Sequence, residues 1–198
     1  MRKVIVVEFI TLDGVMQAPG GPLEDTDGGF TYGGWVVPLA NERLGAVMQE
    51  QMAGTRALLL GKRTYEIFAS YWPGHESEWP GINAATKYVV SDARTESLWD
   101  NTVFINDGVV GAKWRLKQSD GPDLQVYGSS VLLQTLFKQD LVDTLWLKIF
   151  PITLGTGKRL FGEGVIPTAF KLTYSETTPS GVIVASYERA GEVKTGSF

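Results

Sequence analysis

The stretch Leu58-Leu59-Leu60-Gly61-Lys62-Arg63-Thr64-Tyr65 has a near twin in Leu124-Gln125-Val126-Tyr127-Gly128-Ser129-Ser130-Val131. Each is an apolar run, then a glycine, then basic or hydroxyl residues that open a helix-forming segment. A strand that turns through glycine into a helix leaves backbone N–H groups free at the turn. That end of the helix also carries partial positive charge, so the corner seats phosphate. Two such corners in one chain point to a ligand with two phosphates, such as a dinucleotide. The same pattern also serves as an ordinary turn, in which Thr64 caps its helix and Lys62 and Arg63 are solvated.

Working outward, residues 4–10 read as a buried strand, because most are β-branched or aromatic. Residues 12–38 are too rich in glycine and proline for a regular element, and long loops of this kind often bind or cover ligands. Residues 39–52 form a helical pattern with Leu44, Val47, Met48 and Met52 on one face, ended by Gly54. Strands follow at 57–60, 86–90, 103–105, 124–127 and 145–150, with helices at 64–71, 109–117 and 130–139. A turn is expected at Asn106-Asp107-Gly108. Residues 170–174 and 181–187 read as a closing hairpin. Strands alternating with helices, then two final strands, give an α/β domain. Its sheet is mostly parallel with an antiparallel edge hairpin.

Composition narrows the function. The 198 residues fit one domain, taken as 1–198, with 43% hydrophobic and 20% charged residues. A net charge of -4 gives nucleic-acid binding no bulk electrostatic support. The chain has no cysteine, so disulfides and thiolate metal sites are excluded. No other metal-ligand spacing stands out. Glu8 interrupts an apolar run already too short for a signal peptide, and no stretch is long enough to span a membrane. A cytoplasmic protein is the expectation.

Other residues gather at strand ends, where ligands of parallel sheets bind. Asp13 and Gly14 leave the first strand. Ser91 and Arg94 follow the third and suit an adenosine 2′-phosphate, whereas Asp92 between them suits a free ribose hydroxyl. In Leu154-Gly155-Thr156-Gly157-Lys158-Arg159 the glycines lack Rossmann spacing, but Lys158 and Arg159 would meet an anionic substrate. His75 has no partner motif and reads as a surface residue. The tryptophans at 72, 79, 99, 114 and 146 read as packing.

Several segments together resemble the dihydrofolate reductase-like superfamily, and more closely the RibD C-terminal (riboflavin biosynthesis reductase) domain family. They are Phe9-Ile-Thr-Leu-Asp-Gly14, Leu60-Gly-Lys-Arg-Thr-Tyr65, Val90-Ser91, Val126-Tyr-Gly-Ser-Ser130 and Pro151-Ile-Thr-Leu-Gly-Thr-Gly157. The resemblance implies a three-layer fold, NADPH as cofactor, a homodimer, and reduction of a C=N or C=O in a small heterocycle. The family substrate is a phosphoribosylamino-pyrimidine, whose phosphate Lys158 and Arg159 would receive. A pterin reductase and a non-catalytic dinucleotide-binding module are the alternatives.

By the same resemblance the cofactor set is Gly14, Gly61, Lys62, Arg63, Thr64, Ser91, Arg94, Tyr127, Gly128, Ser129 and Ser130. The substrate set is Asp13, Trp35, Gly155, Gly157 and Lys158. Asp13 and Glu42 are the candidate catalytic residues, Glu42 being the carboxylate nearest the helix position where dihydrofolate reductases carry an acid. The long glycine-rich loop departs from a pterin-gripping one. No His-x-Glu or Cys-x-x-Cys deaminase signature is present, so the reductase activity would stand alone.

Overall fold

The strands are β1 (Val4–Thr11), β2 (Ala57–Gly61), β3 (Thr86–Val90), β4 (Thr102–Ile105), β5 (Leu124–Val126), β6 (Thr144–Phe150), β7 (Ala169–Thr177) and β8 (Ile183–Gly191). The helices are α1 (Glu42–Met52), α2 (Lys62–Tyr71) and α3 (Ser130–Lys138). This is a computed structural model that describes residues 1–91, 96–106 and 115–197. Among those residues, all eight strands join one sheet in the order β4-β3-β2-β5-β1-β6-β8-β7. The six strands from β4 to β6 run parallel, and β8 and β7 close the edge antiparallel. The expected α/β architecture is therefore observed.

Alternation along the strands divides the core. Val4, Val6 and Ile10 of β1 pack with Leu132, Leu133 and Leu136 of α3. On the other face are two clusters. One joins Leu44 and Val47 of α1 to Trp35, Phe150 and Val184. The second joins Tyr65 of α2 to Leu58, Leu60, Trp79 and Trp99. Burying these apolar side chains is the main force holding helices to sheet, at about 1.5–3 kcal/mol for each large one.

Helix boundaries follow capping chemistry. α1 begins at Glu42 rather than residue 39, because the Asn41 side chain accepts from the Leu44 amide at 3.0 Å. Pro38 lies instead in a short 3-10 turn, Val37–Leu39. α2 begins at Lys62, two residues earlier than the sequence reading, so Gly61 is the N-cap and Thr64 lies inside the first turn. Thr64 therefore does not cap the helix. The closing strands run over Ala169–Thr177 and Ile183–Gly191, longer than expected, although the second begins two residues later. Residues 115–118 are helical. The turn expected at 106–108 and the helix at 109–117 otherwise fall mainly on residues 107–114, outside the described residues.

Candidate functional site

The parallel strands end on one side of the sheet, and the corners that follow β2 and β5 meet there. A Cβ at Gly61 would collide with Ser129 Oγ. One at Gly128, whose φ is +57°, would lie 2.9 Å from Thr64 Oγ1. Glycine at both positions lets the two corners approach this closely. The Gly128–Ser129 peptide bond is cis. No side chain caps α2 or α3, in contrast to α1. Two uncapped helix N-termini thus converge, with donors and partial positive charge that fit a diphosphate.

Beside the corners, between α1, α2 and the sheet, lies a cavity of about 650 Å³. That is the size of a small-molecule site. Its walls include Phe9, Met48, Phe68, Trp72 and Tyr127, and its rim includes Arg63, Thr64, Gly128, Ser129 and Ser130. The glycine-rich loop closes another side with Met16 to Gly20, Glu24, Asp25 and Asp27. Trp72 and Trp79, read as packing, also line the cavity.

Two charged residues in central strands line it as well, and neither is in the expected site set. Glu8 of β1 is 6% exposed, and its carboxyl accepts from the Gly128 amide. Burial pushes its pKa up to about 8. Lys148 of β6 is 2% exposed, with its ammonium 5.4 Å from the centre of the Phe9 ring. Burial brings its pKa down to about 7. Glu8 therefore carries a proton over much of the neutral range, so the site holds a carboxyl able to donate one.

The cofactor set divides. Arg63, Thr64, Tyr127, Gly128, Ser129 and Ser130 line the cavity, whereas Gly14, Gly61, Lys62 and Ser91 do not. Gly61 stands behind the rim, against Ser129. Lys62 pairs with Glu66 on the surface at 3.8 Å. Ser91 is buried at the end of β3. Arg94 and Asp92 lie outside the described residues.

None of the expected catalytic or substrate residues except Lys158 lines the cavity. The Asp13 carboxylate accepts from the Thr11 hydroxyl at 2.5 Å and from the Gly155 and Leu154 amides at 2.8 and 3.2 Å. The Thr11 hydroxyl, aided by those amides, holds its carboxyl below the ordinary range. Asp13 and Gly155 thus tie two loops together. Glu42 is exposed in the first turn of α1. Trp35 is buried and donates its indole N–H to the Gln17 carbonyl at 2.8 Å. Gly157 packs under Phe30 and Val15.

Lys158 reaches the cavity wall, but its ammonium lies 2.7 Å from both Asp25 and Asp27. Burial opposes its charge, and the two carboxylates outweigh that, raising its pKa above the ordinary value. It straps the glycine-rich loop. Arg159 lies 3.6 Å from Asp13. Both residues expected to receive a phosphate thus face carboxylates of the chain itself. His75 stacks on Tyr71 away from the cavity, as a surface residue would. Among the described residues, no cluster could hold a metal ion and no helix is long and apolar enough to cross a membrane.

Comparison with known proteins agrees with this architecture. The uncharacterized protein YyaP of Bacillus subtilis is 28% identical over 201 residues, covering 96% of this chain and 96% of that protein. Uncharacterized YwjB of the same organism is 27% identical over 174 residues, covering 86% and 89%. A crystal structure of a "Putative riboflavin biosynthesis protein" from Shewanella sp. PV-4 superposes with a TM-score of 0.70 at 23% identity, covering 96% of this chain and 99% of that one. A "pyrimidine reductase-like protein" from Corynebacterium diphtheriae gives 0.62 at 13% identity, covering 96% and 93%. These likenesses support the fold. The RibD C-terminal domain profile matches residues 2–184, and the chain belongs to that family.

Proposed function

We propose that this protein is an NADPH-dependent reductase acting on a C=N or C=O bond of a small heterocycle. The observation that carries the reading is the meeting of two uncapped helix N-termini at the rim of an apolar cavity. Arg63, Thr64 and the segment Gly128 to Ser130 would hold the diphosphate. Bound there, the reduced nicotinamide supplies a hydride, the part of the chemistry that side chains cannot provide.

The chain's own residues supply the rest. The aromatic walls exclude water and fix a flat ring. Glu8, protonated near neutrality, donates a proton to the nitrogen or oxygen that gains negative charge, a role worth about 10²- to 10⁴-fold in rate. This moves the proton source from Glu42, which is exposed, to a carboxyl inside the cavity. The glycine-rich loop, strapped by Lys158, covers the site. Pairing as a homodimer, measurable by light scattering, belongs to the same proposal.

Titration with NADPH and NADH, followed by tryptophan fluorescence, tests the reading. Ser130→Asp is the discriminating variant. An acidic residue in the first turn of α3 suits the helix dipole, so the fold is kept. At the diphosphate seat it adds a repulsion of about 1–3 kcal/mol, or roughly a 10- to 100-fold loss of NADPH affinity. Unchanged affinity, or no binding by the wild type, refutes the proposal.

A further inference from the structure

The cavity's charges are distributed unevenly. Carboxylates line the loop side at Glu24, Asp25 and Asp27. The lysine among them, Lys158, is shared between Asp25 and Asp27, while Arg63, at the diphosphate corner, gives one N–H to the Glu24 carbonyl at 3.2 Å. Glu24 itself accepts from the Gly20 and Gly21 amides at 2.6 and 3.1 Å, and burial pushes its carboxyl above the ordinary range. A phosphate entering from this side would meet two carboxylates that already share one lysine.

The sheet side is different. Lys148 lines the cavity, and its ammonium makes no hydrogen bond or ion pair with any described residue. Among those residues it meets only the Phe9 ring, 5.4 Å away, and the attraction of Glu8, so its N–H donors stay available to a ligand in the cavity. The free Lys148 donors, set among aromatic walls, match a carbonyl oxygen on a flat ring. A cavity of this volume holds a fused ring more fully than a single one.

We propose that the cavity binds a neutral, flat, fused-ring substrate bearing a carbonyl, which accepts a hydrogen bond from Lys148, and that the loop carboxylates select against a phosphorylated form of it. This rests on the reductase reading and names its substrate class. It differs from the phosphoribosyl substrate implied by the family resemblance, because the residues expected to hold that phosphate are paired elsewhere. Lys148 is the specificity-determining residue, one hydrogen bond being the contact through which a carbonyl-bearing ring is told from an apolar ring of equal size.

Three probes test this with the full-length protein. Lumichrome is a bare neutral tricyclic ring, riboflavin adds a neutral chain, and flavin mononucleotide adds a phosphate to riboflavin. Their own fluorescence is quenched on stacking against aromatic side chains, so binding is read without turnover. Saturable binding of lumichrome and riboflavin is expected, with flavin mononucleotide at least ten-fold weaker. Lys148→Met should weaken riboflavin at least ten-fold, and Lys148→Gln, which keeps a donor, should restore part of the loss. NADPH affinity should stay within two-fold in both variants.

Equal binding of the phosphorylated and unphosphorylated probes overturns the selection. Failure of both neutral rings to bind, or an unchanged Lys148→Met variant, overturns the substrate class. Loss of NADPH affinity in Lys148→Met would show that the ammonium serves the cofactor instead, and overturns it too. The two proposals fail separately. Ring binding without NADPH binding refutes the reductase reading, whereas NADPH binding without ring binding refutes this inference alone.

Discussion

Replacing Lys148 with methionine should make the protein more stable while impairing its site. The ammonium titrates near 10.5 in water and at about 7 in the folded chain, because burial disfavours its charge and the attraction of Glu8 only partly compensates. At about 1.4 kcal/mol per pH unit, folding at pH 7 gives up about 5 kcal/mol to keep this group buried. Methionine fills a similar volume without a charge, and imperfect packing takes back part of the gain, leaving about 1–3 kcal/mol. For a chain of this length that raises Tm by about 2–4 °C per kcal/mol. The sign of the pH dependence follows. A lysine whose folded pKa is lowered destabilises fully below about pH 7, and progressively less as pH rises toward 10.5, where both states are neutral. Thermal melts at pH 7 and at pH 10.5 should therefore show a large gain that shrinks at the higher pH. Lys87 is the internal control. It is equally buried, but its ammonium donates to the Asn83 and Asp100 carbonyls at 2.8 and 2.9 Å. Burial brings the pKa of Lys87 down as well, to about 8, but Lys87→Met strands those carbonyls, which takes back about 1–3 kcal/mol, so it should gain clearly less than Lys148→Met or nothing. A Lys148→Met protein that melts lower at pH 7, or gains equally at both pH values, refutes the reasoning.

Glu8→Gln keeps an oxygen for the Gly128 amide but has no acidic proton, so turnover should fall about 10²-fold or more with NADPH affinity nearly unchanged. The wild-type rate should decline as pH passes about 8, where Glu8 loses its proton, and the variant should lack that limb. Steady-state rates across pH 6–9.5 check both. Lys158→Ala frees Asp25 and Asp27 and should cost about 1 kcal/mol, seen as a lower Tm and faster proteolysis within residues 12–38. Gly157→Ala forces a Cβ to 2.8 Å from Phe30 and 2.9 Å from Val15 at a φ of +111°, a loss of about 2–3 kcal/mol in denaturant titration.

The order of elements was legible because each depends on local periodicity. The apolar runs of β1, β2 and β6 are buried along nearly their whole length, as parallel strands between two helical layers must be. The two glycine corners were legible for a related reason, since only a residue without Cβ allows their close approach. Their mutual contact was not. Gly61 and Ser129 are far apart in sequence, and β5 reaches the position beside β2 only through the crossover that forms the sheet. Strand-end polar residues misled for a physical reason. A carboxylate at a strand end can face a ligand or tie down a loop, and Asp13 does the second with three hydrogen bonds.

Charged residues inside buried strands carried a stronger signal than those at strand ends. Glu8, Lys87 and Lys148 each interrupt an apolar run, and each lies in a strand covered on both faces. A chain would keep such a residue either because the fold satisfies it or because something else does. Sequence cannot separate the two cases, since the groups that decide between them come from distant segments. For Lys87 they are Asn83, Asp100 and the Trp99 ring, 4.1 Å from the ammonium, and the group is fully occupied. For Glu8 the only partner hydrogen bond is to Gly128, and for Lys148 there is none among the described residues. Both of these open onto the same cavity, whereas Lys87 does not. The fold thus sorts three similar interruptions into one strut and two groups held ready at a site. The larger gain predicted for Lys148→Met than for Lys87→Met is the measurable form of that difference.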